Sequence, residues 1–158
     1  MYKVLSVSKI LPMLLLLAFS TISFALSPEA ELGKASYTLC HSCHNPEANP
    51  ALGPPMWGVQ RRYNKNTDDK AAFITRMVTF VKSPKEENAL QTQALKQMGL
   101  MPAMPLPDAM LKNIASYIYE EEFAPPCAHW KMAVEKAQDG GDLEHAKKDQ
   151  RQLDRFCQ

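Results

Sequence analysis

The sequence predicts an all-α chain, and three observations predict it. Apolar residues recur at three- and four-residue intervals in several stretches, those stretches open or close on helix caps or prolines, and no run alternates apolar and polar residues as a half-buried strand would. The 158 residues suffice for one domain of ordinary size with a small appendage.

The first 25 residues stand apart. "MYKVLSVSK" carries Lys3 and Lys9, "ILPMLLLLAF" is a short apolar run, and "STISFA" ends in small residues, with Ser23 and Ala25 flanking Phe24. That is the pattern of a secretory signal, expected to be cleaved after Ala25. Its rival is an uncleaved anchor, since Ile10 to Leu26 approaches the lower limit for spanning a bilayer. The chain has 18 Lys and Arg against 17 Asp and Glu; removing Lys3 and Lys9 leaves 16 against 17. A near-neutral mature chain argues against nucleic acid, whose binding needs a basic face. Export to an oxidising compartment such as the periplasm also lets disulfides persist.

Along the mature chain, "SPEAELGKASYTLC" opens with Ser27 as cap, Pro28 at the first helical position and glutamates in the first turn, predicting a helix that runs into Cys40. "NPEANPALGPPMWG" is too rich in Pro, Gly and Asn for regular structure. "TDDKAAFITRMVTFVKSP" predicts a helix capped by Thr67 or Asp68, with Phe73, Met77, Phe80 and Val81 on one face, stopped at Pro84. "KEENALQTQALKQMG" predicts a shorter helix with Leu90, Ala94 and Leu95 inward and Gly99 as terminator. "LMPAMPLP" is a loop, and "DAMLKNIASYIYEEEF" resumes helical spacing through Leu111, Ile114, Ala115 and Ile118 until "APP" breaks it. The polar remainder, Cys127 to Gln158, reads as two helices around "DGGD". These segments divide the chain into a leader (1–25), a main domain (26–124) and a C-terminal helical extension (125–158).

The stretch "CHSCH", Cys40 to His44, carries the chemistry. A thioredoxin-like pair needs a strand-to-helix context that this sequence lacks. A zinc site needs a second ligand pair at short spacing, and Cys127 with His129 is not so spaced. Covalent haem attachment fits: both thiols of C-x-x-C-H form thioethers with the haem, and the adjacent His44 binds iron. A local disulfide between Cys40 and Cys43 is the plainer rival.

With that motif the chain resembles the class I c-type cytochromes, from about Leu32 to Phe123. "GKASY", Gly33 to Tyr37, is similar to the family's N-terminal helix, where the glycine permits close crossing with the closing helix; the aromatic stands three residues before the first Cys, one fewer than usual. "GPPMWG", Gly53 to Gly58, is similar to a family loop in which Pro54 supplies the carbonyl that accepts from the second ring nitrogen of the iron-bound histidine. "MP" ahead of Asp108 resembles the loop of the distal ligand, and "IASYIYEE" the closing helix. The resemblance implies a cytochrome c-like fold around one haem c, held through Cys40, Cys43 and His44.

For a second axial ligand, Met98, Met101, Met104 and Met110 all lie in the right region. Met98 and Met110 fall in helical patterns and read as packing residues. Of the two that precede proline, the family spacing to Asp108 favours Met101, with Met104 the alternative. His129 and His145 keep bis-histidine or open coordination in play; His145 reads as solvated. Trp57, Arg61, Arg62 and Tyr63 offer donors, among which Trp57 and Arg61 would suit the haem carboxylates, against the plainer reading of a solvated basic loop. Cys127 and Cys157, left over, are expected to join and staple the extension as a helical hairpin, its rivals being a redox-active disulfide or a docking surface.

The expected function is single-electron transfer between redox proteins, with no reaction on a substrate. Alternatives are a haem-bearing subunit held by the extension to a larger, membrane-bound oxidoreductase, or an open-site haem enzyme or sensor.

Overall fold

A computed structural model describes residues 25–157, and among them the chain is helical, with no strand. All of the expected leader except Ala25 lies outside the described residues. Helix α1 (Pro28–Ser36) starts where its caps dictate: the Ser27 hydroxyl accepts from the Ala30 N–H at 3.3 Å, and Pro28 occupies a position that needs no donor. The helix expected to reach Cys40 is divided at Tyr37. There the N–H of Tyr37 turns back to the Lys34 carbonyl at 3.2 Å, and a second helix, α2 (Thr38–His44), carries all of CHSCH. The ring of Tyr37 packs edge-on against Tyr117 and beside Phe123, at 5.1 and 5.5 Å.

After an irregular stretch comes α3 (Met56–Lys65), a helix where the composition suggested only a loop. Its buried residues are Met56, Val59 and Tyr63, spaced three and seven apart. Helix α4 (Lys70–Lys82) is capped one residue later than expected, by Asp69, whose carboxylate accepts from Ala72 N–H at 2.8 Å. It buries Phe73, Met77 and Val78. The single helix expected next is two pieces, a 3-10 turn at Glu86–Asn88 and α5 (Thr92–Met98), closed by Gly99 at φ +80°. Helix α6 (Asp108–Glu120) buries Leu111, Ile114, Ala115 and Ile118, the face its periodicity indicates.

The core gathers α3, α4 and α6 around Phe73, which is fully buried. Helix α1 lies across α6 so closely that a Cβ on Gly33 would sit 1.9 Å from the Asn113 carbonyl oxygen. The start of α1 is fastened there too: the Ser27 N–H and hydroxyl both donate to the Glu120 carboxylate at 2.7 Å, and Lys70 on α4 donates to the same carboxylate. Helix α3 is tied to the end of α6 by Gln60, whose side-chain amide donates to the carbonyls of Ile118 and Glu121 at 2.7 and 2.6 Å.

The C-terminal segment forms α7 (Cys127–Asp139) and α8 (Leu143–Phe156), joined by the turn at Gly140 and Gly141 and bridged at their far ends by a Cys127–Cys157 disulfide. Between them they bury Trp130, Val134 and Ala146. No helix among the described residues is long and apolar enough to cross a membrane.

Candidate functional site

A cavity of about 380 Å³ opens between α2, α3, α4 and α5, within the range of cofactor and small-molecule sites. Its walls are apolar: Met56 and Val59 from α3, Met77, Phe80 and Val81 from α4, Leu90, Ala94 and Leu95 from the segment around α5. No Lys, Arg, Asp or Glu is among the lining residues; the titratable groups there are Cys40, Cys43, His44 and Tyr63.

Helix α2 presents the thiols and the imidazole together. Cys40 and Cys43, three apart on a helix, share a face, and both are free thiols lining the cavity. Burial, then the charge of Cys43, pushes the Cys40 thiol up from its ordinary value, so that thiol is protonated at neutral pH. His44 follows at the end of the same helix. Its Nδ1 donates to the Pro54 carbonyl at 2.6 Å; a carbonyl only accepts, so this bond places the proton on Nδ1 and leaves an unprotonated lone pair on Nε2. Burial pulls the imidazole below its ordinary value and so keeps the ring neutral, outweighing that hydrogen bond, which acts the other way. Gly53 makes room for it, since a Cβ there would press to 3.2 Å from Cε1 and 3.3 Å from Nδ1 of His44.

The loop after α5 brings Met101, Pro102 and Met104 to the cavity lining. The Met104 N–H donates to the Val81 carbonyl at 3.0 Å, pinning that residue to α4. Met98, read from sequence as a packing residue, also lines the cavity, whereas Met110 packs against the core. Tyr63, buried in the wall, is pushed up to about 12 by burial.

Pro54 therefore stands at the site, and Trp57 and Arg61 do not. These two, one turn apart on α3, are not among the lining residues. Trp57 packs edge-on against Trp130 and Phe156 of the hairpin at 5.3 and 5.0 Å, and the Arg61 guanidinium covers Trp57 at 4.7 Å. A loop here leaves both free to serve a cofactor, whereas in α3 positions 57 and 61 turn to a different face from 56, 59 and 63. His129 and His145 also lie off the cavity lining, and His145 is not simply solvated, its Nε2 standing 3.0 Å from the mostly buried Asp149.

Sequence reasoning missed the α4 and α5 contribution to the wall. Phe80, Val81 and Leu90 carried a helical signal for a packing face, and an apolar face reads the same whether it meets protein or a ligand.

Among the described residues, no three His, Cys, Asp or Glu side chains gather where one bare ion could be held. The donors that line the cavity, two thiols, one neutral imidazole and the thioethers of Met101 and Met104 in an apolar enclosure, are instead of the kind that would fit a group bringing its own metal. Comparison with protein-family models, with curated proteins and with solved structures returns no match.

Proposed function

We propose that this chain is an exported class I c-type cytochrome with a cytochrome c-like fold, which carries single electrons between redox proteins on one haem c attached through Cys40 and Cys43. The observation that carries the reading is His44: it stands beside the two thiols at an apolar cavity, held through Nδ1 by the Pro54 carbonyl, with Nε2 free to bind iron. The haem supplies an iron that changes oxidation state by one electron without breaking bonds.

The chain's own groups set the conditions for that change. His44 is kept neutral and oriented, and its donated hydrogen bond strengthens the lone pair it offers. Met101 would hold the iron together with His44, with Met104 the alternative; both line the cavity from the loop after α5. The apolar walls exclude water, which limits the solvent reorganisation that accompanies a change of charge. Expected partners are redox proteins, including a membrane-bound oxidoreductase, and the expected compartment is the periplasm, reached by cleavage after Ala25. The near-neutral mature charge gives nucleic acid no basic face.

The test is to produce the full chain in a host that attaches haem to C-x-x-C-H proteins and to measure the mature mass and optical spectra, with Met101→Ala and Met104→Ala alongside. The reading expects one covalently bound haem and, in the ferric form, a sulfur-to-iron charge-transfer band that Met101→Ala abolishes and Met104→Ala keeps. A chain that leaves the host with both thiols free and no haem would refute it. A haem protein without that band, whose ferrous form binds carbon monoxide readily, would instead be an open-site enzyme or sensor.

A further inference from the structure

Helix α3 has two working faces, and the hairpin takes the one that the cavity does not. Met56, Val59 and Tyr63 line the cavity, while Trp57 and Arg61 meet α7 and α8. Trp57 stands in the first turn of α3, three residues after Pro54, whose carbonyl holds His44. That turn begins on Pro55 and has no side-chain cap, so what packs against it decides how firmly it is placed. Two consecutive prolines at 54 and 55 have fixed φ angles, so displacement of the turn passes to the Pro54 carbonyl with little loss.

The grip on Trp57 is closed from both sides. Trp130 and Phe156 meet its ring edge-on, and Arg61, one turn on, stacks over both Trp57 and Phe156 at 4.7 and 5.1 Å. Cys127 and Cys157, which lie three residues before Trp130 and one after Phe156, are joined, so the two helices that supply these rings cannot part at that end. Gln60 ties the other side of α3 to the end of α6.

We infer that the C-terminal hairpin is a brace for His44, with Trp57 as the positioning residue: α7 and α8 hold the first turn of α3, and thereby keep the Pro54 carbonyl on Nδ1. This rests on the reading of His44 as the iron ligand. The hydrogen bond raises the basicity of the imidazole, which favours the oxidised iron. Loosening the brace therefore raises the reduction potential, without any change to a residue that touches the cofactor.

The test compares Trp57→Ala, Trp57→Phe and the double variant Cys127→Ser with Cys157→Ser in the full chain. Two quantities are read: exchange of the His44 Nδ1–H with solvent by nitrogen-15 NMR, in the haem-free chain, and the reduction potential of the haem-loaded protein. Trp57→Ala and the double serine variant are each expected to speed the exchange about tenfold through easier local opening. They are also expected to shift the oxidised-to-reduced ratio about threefold toward the reduced form, or ~30 mV at 59 mV per tenfold. Trp57→Phe, which keeps an aromatic ring in the grip, restores both. Should Trp57→Ala not fold, the serine variant, which leaves α3 intact, carries the test. Unchanged exchange and potential in a protein that is merely less stable would overturn the brace and leave the hairpin a stabilising appendage. Faster exchange in a chain that never takes up haem would support the brace and refute the proposed cofactor.

Discussion

Substituting Gly33 by alanine puts the packing of α1 on α6 to a direct test. The added Cβ would lie 1.9 Å from the Asn113 oxygen, 2.4 Å from its carbonyl carbon and 2.9 Å from the Ile114 nitrogen. Ordinary contact begins at 3.4 Å, so the closest approach is short by about 1.5 Å. The obstructing atoms are helix backbone and cannot rotate aside, so α1 must lift or tilt. A gap of that order forfeits half or more of the dispersion attraction along the crossing, and the fastening of Ser27 to Glu120 and Lys70 resists the movement. Overpacking of this severity costs about 3 kcal/mol or more. Alanine returns about 1 kcal/mol through its better helix propensity. The expected net loss is about 2 kcal/mol or greater, read as a lower midpoint in urea by far-ultraviolet circular dichroism. Gly58→Ala is the matched control: its Cβ would meet only the flexible end of Gln91 at 3.7 Å, and stability should hold or rise by up to about 1 kcal/mol. A Gly33→Ala protein as stable as the parent would mean that the two helices do not cross there.

Other outcomes follow from single sites. Burial tends to raise the Glu120 carboxyl, but the bonds from Lys70 and Ser27 outweigh it and hold the group below its ordinary 4.5. Its contribution is therefore complete above pH 4.5 and disappears as the pH falls through the lower folded value. Glu120→Gln should cost about 1–3 kcal/mol at neutral pH and flatten the acid limb of stability against pH; an unchanged limb would show that the carboxylate is not so engaged. Phe73→Ala, at the fully buried centre of the core, should cost about 3–5 kcal/mol in the same unfolding assay. Gly53→Ala should leave the unfolding midpoint within about 1 kcal/mol yet displace the His44 ring, seen as shifted His44 ring resonances; ring signals identical to the parent's would contradict the close approach of Gly53.

What the sequence disclosed is uneven, for physical reasons. Ser27, Pro28 and the spacing of Leu111, Ile114, Ala115 and Ile118 are local signals, and α1 and α6 stand where they indicate. The hairpin was legible from its turn glycines and from two leftover cysteines. Helix α3 was hidden behind two prolines, a glycine and five basic or amide side chains, although Met56, Val59 and Tyr63 do repeat at helical spacing. The break at Tyr37 had no local signal, because its ring answers to Tyr117 and Phe123, distant in sequence. At the site, the thiols and His44 were legible because all three fall within five consecutive residues, which α2 carries to the cavity together. Trp57 and Arg61, expected as donors to a ligand, pack against the hairpin, and donors to a ligand and to a neighbouring helix are the same residue types. Met101 and Met104 were not separable, since both occupy one short proline-rich loop, and both reach the cavity lining.

The covalent link between Cys127 and Cys157 also changes what breakage of the chain means. The most exposed turn of the hairpin is at Gly140 and Gly141, where small residues and a φ of +77° at Gly141 leave little to shield the backbone. A protease that cuts there divides the polypeptide, but the piece carrying α8 stays attached to the piece carrying α7 through sulfur. The nicked molecule keeps the same mass apart from one added water, and Trp130 and Phe156 remain beside Trp57 rather than diffusing away. Only a cut followed by reduction sets α8 free, so in an oxidising compartment the C-terminal segment outlasts the continuity of its own backbone.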